Sequence, residues 1–107
     1  MEAIDLVREH FNNLGTKRIE VPEWNLVVFA SPMTLAEKNR IYKKSRDSDM
    51  ELLVDILIMK ATDESGKKLF TIEHKLTLLN KADSNIVARL ANEILSDSSP
   101  KLDDLKN

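Results

Sequence analysis

The sequence predicts a mainly α-helical fold with a small N-terminal β-hairpin, an α+β arrangement of about five short helices around one aliphatic core. Three observations predict this fold class. Glycine occurs twice and proline three times in 107 residues, which disfavours a loop-rich or all-β chain. Apolar residues recur at spacings of three and four along most of the chain, as they do on one face of a helix. Near the N-terminus, by contrast, polar and apolar residues alternate and are followed by a short apolar run.

The predicted hairpin spans residues 17–30. Residues 18–21 alternate polar and apolar side chains, as a half-buried strand does, and residues 26–30 form an apolar run short enough for a second strand. Pro22 lies between them, at the turn or on an edge, because proline cannot donate a ladder hydrogen bond. Pro32 follows the second strand and predicts its end.

The helices are predicted from apolar spacing and from capping residues. Thr34 with Glu37 has the spacing of a capping box and opens a helix over 35–45. Ser48 with Glu51 repeats that spacing and opens a helix over 49–61. The remaining predicted helices are 2–14, 72–79 and 84–95. We expect residues 1–95 to form a single globular domain and residues 96–107 to form a flexible polar tail.

Composition excludes several classes of function. The net charge is −2, with 16 basic and 18 acidic residues, so the chain has no overall attraction for nucleic acid or an anionic membrane. No apolar run approaches the length of a membrane span. There are no cysteines, which excludes disulfides and thiolate metal sites and fits a reducing cytoplasm.

The helix predicted over 49–61 is unusually apolar. Its apolar side chains cover nearly the whole circumference, and only four residues mark a polar side: Asp49, Glu51, Asp55 and Lys60. Such a helix is buried on several sides, or is buried once within the domain and again against another subunit. We therefore expect the protein to be at least partly oligomeric.

No catalytic or metal-binding motif is present. His10 and His74 fall in different predicted elements, and neither has a second ligand at helical spacing. The acidic stretch 46–55 lacks the glycine and terminal spacing of a calcium loop, and "SGKK" lacks the glycine-rich lead-in of a phosphate loop. We predict no enzymatic activity, no cofactor and no metal.

The basic segment is the strongest candidate for partner binding. Residues 38–46 hold five cations and one aromatic side chain: Lys38, Arg40, Tyr42, Lys43, Lys44 and Arg46. Cations are favoured at the end of a helix, which explains the last three without any function. The functional interpretation is docking of an acidic partner segment. Nucleic-acid binding has less support, because Tyr42 alone supplies an interleaved aromatic ring.

Trp24 is the second candidate. It either plugs the core beneath the hairpin, with its indole N–H bonded to a backbone carbonyl, or stands exposed as an anchor for a partner. The small number of aromatic residues favours the core.

Four segments, in order, resemble the tail assembly chaperone family of long-tailed phages, specifically the short-form protein encoded just upstream of the tape measure. The segments are "VPEW" at 21–24, "PMTLAEK" at 32–38, "DESGKKLF" at 63–70 and "NIVARLANEIL" at 85–95. Asn25 stands where the resemblance leads us to expect glycine.

The resemblance implies a non-enzymatic helper that binds the tape measure protein and tail tube subunits during assembly. It also implies location in the host cytoplasm and absence from the mature virion. Members of this family commonly exist also as a longer product, which is made by programmed ribosomal frameshifting. Leu105-Lys106-Asn107 can be encoded by a slippery A-AAA-AAC heptamer, and an AAG codon for Lys106 would exclude this slip site. The alternatives are a small nucleic-acid-binding regulator that uses the basic helix 38–46, or a structural head–tail joining protein.

Overall fold

The structure, a computed structural model, describes residues 1–44 and 49–96, without the side chains of Lys44 and Asp49. Within these ranges it contains five α-helices and a two-stranded antiparallel hairpin, which confirms the predicted fold class. The elements are α1 (Ala3–Leu14), β1 (Lys17–Val21), β2 (Leu26–Ala30), α2 (Leu35–Lys44), α3 (Asp49–Lys60), α4 (Lys75–Lys81) and α5 (Ser84–Leu95). The predicted polar tail falls mainly on residues 97–107, which lie outside the described residues.

The hairpin closes through a tight turn. Lys17 pairs with Ala30 at its open end and Val21 with Leu26 at its closed end. A 3-10 turn over Pro22–Trp24 joins the strands, and Asn25 ends it in the left-handed region at φ 52°. Asparagine adopts this conformation more readily than most residues with a Cβ. Asn25, where the resemblance led us to expect glycine, therefore has a backbone conformation that favours glycine.

The start of α2 confirms the predicted capping box. The Glu37 N–H donates to Thr34 Oγ1 at 3.1 Å, and the Thr34 N–H donates to Glu37 Oε1 at 3.0 Å. Each bond pairs a backbone N–H that would otherwise lack a partner at the start of the helix. The second predicted cap, Ser48, lies outside the described residues.

The helix predicted over 72–79 is divided. Ile72–His74 forms a 3-10 turn, and α4 begins only at Lys75. The Thr71 N–H donates to His74 Nδ1 at 3.0 Å, and the His74 N–H donates to the Thr71 carbonyl at 2.9 Å. These short-range bonds tighten the first turn. The sequence predicts either Asp83 or Ser84 as the cap of α5, and Asp83 is the cap, because its Oδ1 accepts the Asn85 N–H at 2.8 Å.

The core lies between the hairpin and the last helices. Helix α3 packs against α2, α4 and α5, and α5 also packs against β1. Thr62, which follows α3, exchanges two backbone hydrogen bonds with Phe29 at 2.8 and 2.9 Å and so fastens α3 to the free edge of β2. The largest fully buried side chains are Ile56, Leu57, Leu90, Val21 and Val28.

The predicted polar side of α3 is wrong at two positions. Asp55 and Lys60 are each only 5% exposed, because each has an ion-pair partner on a neighbouring element. Lys60 Nζ lies 3.0 Å from Glu37 Oε1, and Asp55 Oδ1 lies 3.1 Å from Lys75 Nζ. A charged residue in an apolar helix can thus face the interior when another element supplies the opposite charge.

Helix α1 departs from the expected arrangement of helices around one core. None of its residues is buried, although it has the apolar spacing that predicted it. Within the described part of the chain, no helix combines the length and apolar character that a membrane span requires.

Candidate partner-binding surface

Helix α1 presents an uncovered apolar face. Ile4, Val7 and Phe11 follow one another at helical spacing and are 52%, 62% and 37% exposed. Leu14 continues the same stripe and is half-buried. The acidic residues Glu2, Asp5 and Glu9 fall on the opposite side of the helix at the same spacing. An amphipathic helix of this kind normally covers its apolar side with another element.

The stripe forms one wall of a shallow trough. Val7 and Phe11 line a cavity of about 430 Å³ with Met33 and Leu35. Leu14 lines an adjoining cavity of about 270 Å³, in which Met33 again takes part, with Leu95 at the far end. We call these two cavities together the trough, because Met33 is common to both. An apolar groove bordered by a helix face suits a second helix as its occupant.

The trough is bordered by cations. Arg8, Lys17 and Lys38 line it, and its lining includes no carboxylate within residues 1–44 and 49–96. Arg8 forms an exposed ion pair with Asp5 at 3.3 Å. Lys17 Nζ donates to the carbonyls of Glu93 and Ser96 at 2.7 and 3.0 Å, at the C-terminal end of α5. Lys38 is exposed and forms no ion pair with any described residue. The trough therefore has positive charge at its border that an acidic partner can use.

The structure does not gather the whole basic segment into one surface. Lys38 and Arg40 are two residues apart on α2 and so point to different sides of the helix. Arg40 lines a separate cavity of about 170 Å³ with Asp55 and Lys68. Tyr42 and Lys43 are exposed. Of the predicted site residues whose side chains the structure describes, only Lys38 borders the trough.

Two predicted site residues lie beyond what the structure describes. The side chain of Lys44 and the whole of Arg46 are outside the described residues. Their part in the basic segment stays a prediction.

Trp24 is half-buried, so it is neither fully enclosed in the core nor fully exposed as an anchor for a partner. Its ring meets the edge of Phe70, with centroids 6.3 Å apart and planes at 79°, and Phe70 meets His74 in the same way at 6.5 Å. Edge-to-face pairs of this kind stabilise the packing of aromatic rings. Within the described residues the indole N–H donates no hydrogen bond, so the expected bond to a backbone carbonyl is absent there. Trp24 lines neither cavity of the trough.

A second apolar area lies on the other side of the core. Ile72, Leu76 and Met50 are 57%, 72% and 66% exposed. Leu79, at the edge of this area, is 36% exposed and lines a cavity of about 370 Å³ between α3, α4 and α5. This area supplies exposed apolar positions that are separate from the trough.

Of the two alternatives that the sequence leaves open for α3, burial on several sides within the domain agrees with the structure, and the uncovered apolar face lies on another helix. Helix α3 is covered largely by its own chain, whereas α1 is the helix left open. The signal was present, since the stripe of α1 is visible at residues 4, 7, 11 and 14. Spacing alone cannot show whether another element covers a stripe.

The structure offers no sign of a metal site within residues 1–44 and 49–96, where no group of three His, Cys, Asp or Glu residues could hold an ion. His10 and His74 are both exposed. His74 accepts a backbone N–H at the start of its turn, which is a structural role.

An ion pair joins the hairpin turn to α5. Arg89 Nη1 and Nη2 donate to the two carboxylate oxygens of Glu23 at 2.8 and 2.9 Å. This two-pronged bond to Arg89, with a smaller contribution from a backbone N–H, lowers the pKa of Glu23 from 4.5 to about 2. Because the folded pKa is lowered, the pair stabilises the fold above pH 4.5 and loses that effect as the pH falls toward 2.

We expect Arg89→Gln to raise the pKa of Glu23 toward 4.5, its ordinary value, because the charged donor is lost. NMR titration of the Glu23 carboxyl carbon measures this directly. Arg18→Gln is the control, because Arg18 pairs with Glu20 rather than Glu23. A Glu23 midpoint that is the same in wild type and Arg89→Gln would show that the pair does not form in solution.

Comparison of the chain with known protein families, curated proteins and solved structures finds no match. Its function must therefore be inferred from its own residues and contacts.

Proposed function

We propose that this chain is a non-enzymatic assembly chaperone for phage tail morphogenesis. It binds the tape measure protein and tail tube subunits in the host cytoplasm and is absent from the mature virion. The resemblance of segments 21–24, 32–38, 63–70 and 85–95 to tail assembly chaperones supports this proposal. The mainly α fold with a short hairpin is compatible with it.

The observation that carries the proposal is the uncovered face of α1. A chaperone for a long, apolar-patterned helical client needs apolar surface that its own fold leaves available. Helix α1 provides such a surface, with three large apolar side chains at least one-third exposed on one stripe. A fold that served only to stabilise itself would gain by burying them.

Self-association is part of the proposed function. A homo-oligomer multiplies the client-binding surface without any new contact within a subunit. Exposed apolar side chains on α4, away from the trough, supply area for contacts between subunits. Sedimentation that shows a strict monomer at high protein concentration would contradict this part of the proposal.

Co-expression tests the chaperone function. We expect this chain to raise the soluble yield of a co-expressed tape measure fragment severalfold, because it covers apolar stripes that otherwise aggregate. The yield is measured from the soluble and pelleted fractions of the same lysate. An unrelated small α-helical protein, expressed at the same level, is the control. Equal soluble yields with the two proteins would refute the function.

The basic helix gives the nucleic-acid alternative little support. Of the three described cations of α2, Arg40 and Lys43 share one side of the helix at a spacing of three and Lys38 points to another side, whereas a DNA-binding helix aligns its cations along one groove. A regulator would bind DNA with a steep salt dependence, since counterions are released at each phosphate contact.

A further inference from the structure

We propose that the trough binds an amphipathic client helix whose apolar stripe is bordered by acidic residues. This inference deepens the proposed function, on which it rests, by naming the surface and the chemistry of the client. It is carried by the shape of the trough, by its exposed apolar wall and by the sign of the charges around it.

The shape of the trough suits one helix. Val7, Phe11 and Leu14 lie along the wall at spacings of four and three, so they form a straight ridge of about 10 Å at 1.5 Å per residue. Met33 and Leu35 line the same cavity as Val7 and Phe11. Helix-in-groove recognition uses anchors at this same spacing on the incoming helix.

The cations around the trough favour a client that has acidic residues beside its apolar stripe. Among the described residues, Arg8, Lys17 and Lys38 line the trough and no carboxylate does. Arg8 and Lys17 already donate hydrogen bonds within the chain. Lys38 is therefore the cation most available to a bound client. A client with acidic residues beside its stripe gains attraction here, whereas a basic client is repelled.

A second copy of this chain is a poorer occupant. A two-fold contact would place the same patch of each copy together, so the cations of both troughs would face each other. Helix α1 has 12 residues and so measures about 18 Å, which is short for a stable dimer interface of roughly 800 Å² per partner.

The test uses designed peptides and the full chain. A labelled helical peptide of about 20 residues, long enough to form a stable helix on binding, carries leucines at helical spacing and glutamates beside them. A second peptide has the same leucines with lysines in place of the glutamates. We expect fluorescence anisotropy to give an affinity about tenfold higher for the acidic peptide at low salt. Equal affinities, or no binding of the acidic peptide, would overturn the proposal.

Variants locate the site. Phe11→Ser and Leu35→Ser should each weaken binding of the acidic peptide by roughly tenfold, because each removes a large apolar contact. Lys38→Glu should weaken the acidic peptide and strengthen the basic one. Leu76→Ser is the matched control, since Leu76 is 72% exposed but lies on α4. Because Leu35 is 84% exposed, Leu35→Ser should keep the wild-type melting temperature. Phe11 is 37% exposed, so circular dichroism checks that Phe11→Ser is folded at the temperature of the binding measurement. A Leu76→Ser effect as large as that of Phe11→Ser would overturn the assignment.

Two other occupants appear as distinct results. If Phe11→Ser dissociates a wild-type oligomer and leaves the peptide affinity unchanged, a second copy occupies the trough and the proposal fails. If the acidic peptide binds only after residues 97–107 are deleted, the chain's own C-terminal segment is the occupant and the proposal also fails.

The outcomes separate this inference from the chaperone function. Peptide binding at the trough without any gain in tape measure solubility would leave the surface intact and remove the proposed function. A gain in solubility that Phe11→Ser and Leu35→Ser do not reduce would keep the function and overturn the trough.

Discussion

Replacement of Lys60 by methionine is expected to lower the free energy of unfolding by about 3 kcal/mol. The Lys60 ammonium is 5% exposed and donates to both carboxylate oxygens of Glu37, at 3.0 and 3.2 Å, and to Ser31 Oγ at 2.9 Å. Methionine fills similar volume but leaves the half-buried carboxylate without its cation. Urea unfolding, followed by circular dichroism, measures the loss.

The ion pair between Lys60 and Glu37 should stabilise the fold less in acid than at neutral pH. Burial works to raise the pKa of Glu37, but the Thr34 N–H and Lys60 outweigh it, and the pKa lies below the ordinary 4.5. The stabilisation is therefore present above pH 4.5 and is lost as the pH falls through the lowered value. The difference between wild type and Lys60→Met should shrink accordingly in acid.

Two variants check the Lys60 result. Glu37→Gln combined with Lys60→Met should be less destabilising than the sum of the single changes, because no unpaired charge is then left in the interior. Arg18→Met removes a pair whose side chains are 55% and 67% exposed, so it should change stability by less than about 0.5 kcal/mol. A Lys60→Met effect as small as that of Arg18→Met would mean that the Lys60 pair is not buried in solution.

The local structure could be predicted where a short stretch of sequence determines it. The Thr34–Glu37 capping box, the cap at Asp83 and the hairpin over 17–30 all depend on residues close together in the chain. The division of the helix at 72–79 was missed, because the bonds between Thr71 and His74 tighten its first turn into a 3-10 turn. Such a contact has no distinct sequence signal.

The candidate site could be predicted only in part, because it depends on what the fold covers. Lys60 is buried only because Glu37 and Ser31 lie against it, more than 20 residues away. Lys38 borders the trough and Arg40 does not, although both belong to one basic run. The openness of α1 depends on the absence of a covering element, which a residue pattern does not reveal.

Helices α1 and α5 show most directly that a residue pattern does not reveal whether a helix face is covered. A pair of variants tests this. Each has 12 residues and an apolar stripe, so the two look alike in sequence. Leu90 on α5 is 0% exposed, whereas Val7 on the stripe of α1 is 62% exposed. We expect Leu90→Ala to lower the free energy of unfolding by about 3 kcal/mol, since it leaves a cavity where α5 meets α3 and β1.

Val7→Ala on α1 should change stability by less than about 0.5 kcal/mol, because little apolar area is buried there and alanine favours the helix. Urea unfolding of both variants, with the denaturant slope checked for equality, gives the comparison. If Val7→Ala proved as destabilising as Leu90→Ala, the apolar face of α1 would be covered in solution. The trough, which Val7 lines, would then be closed to any client, and α1 would belong to the core. The comparison of Val7 with Leu90 therefore tests whether α1 is open before any partner is added.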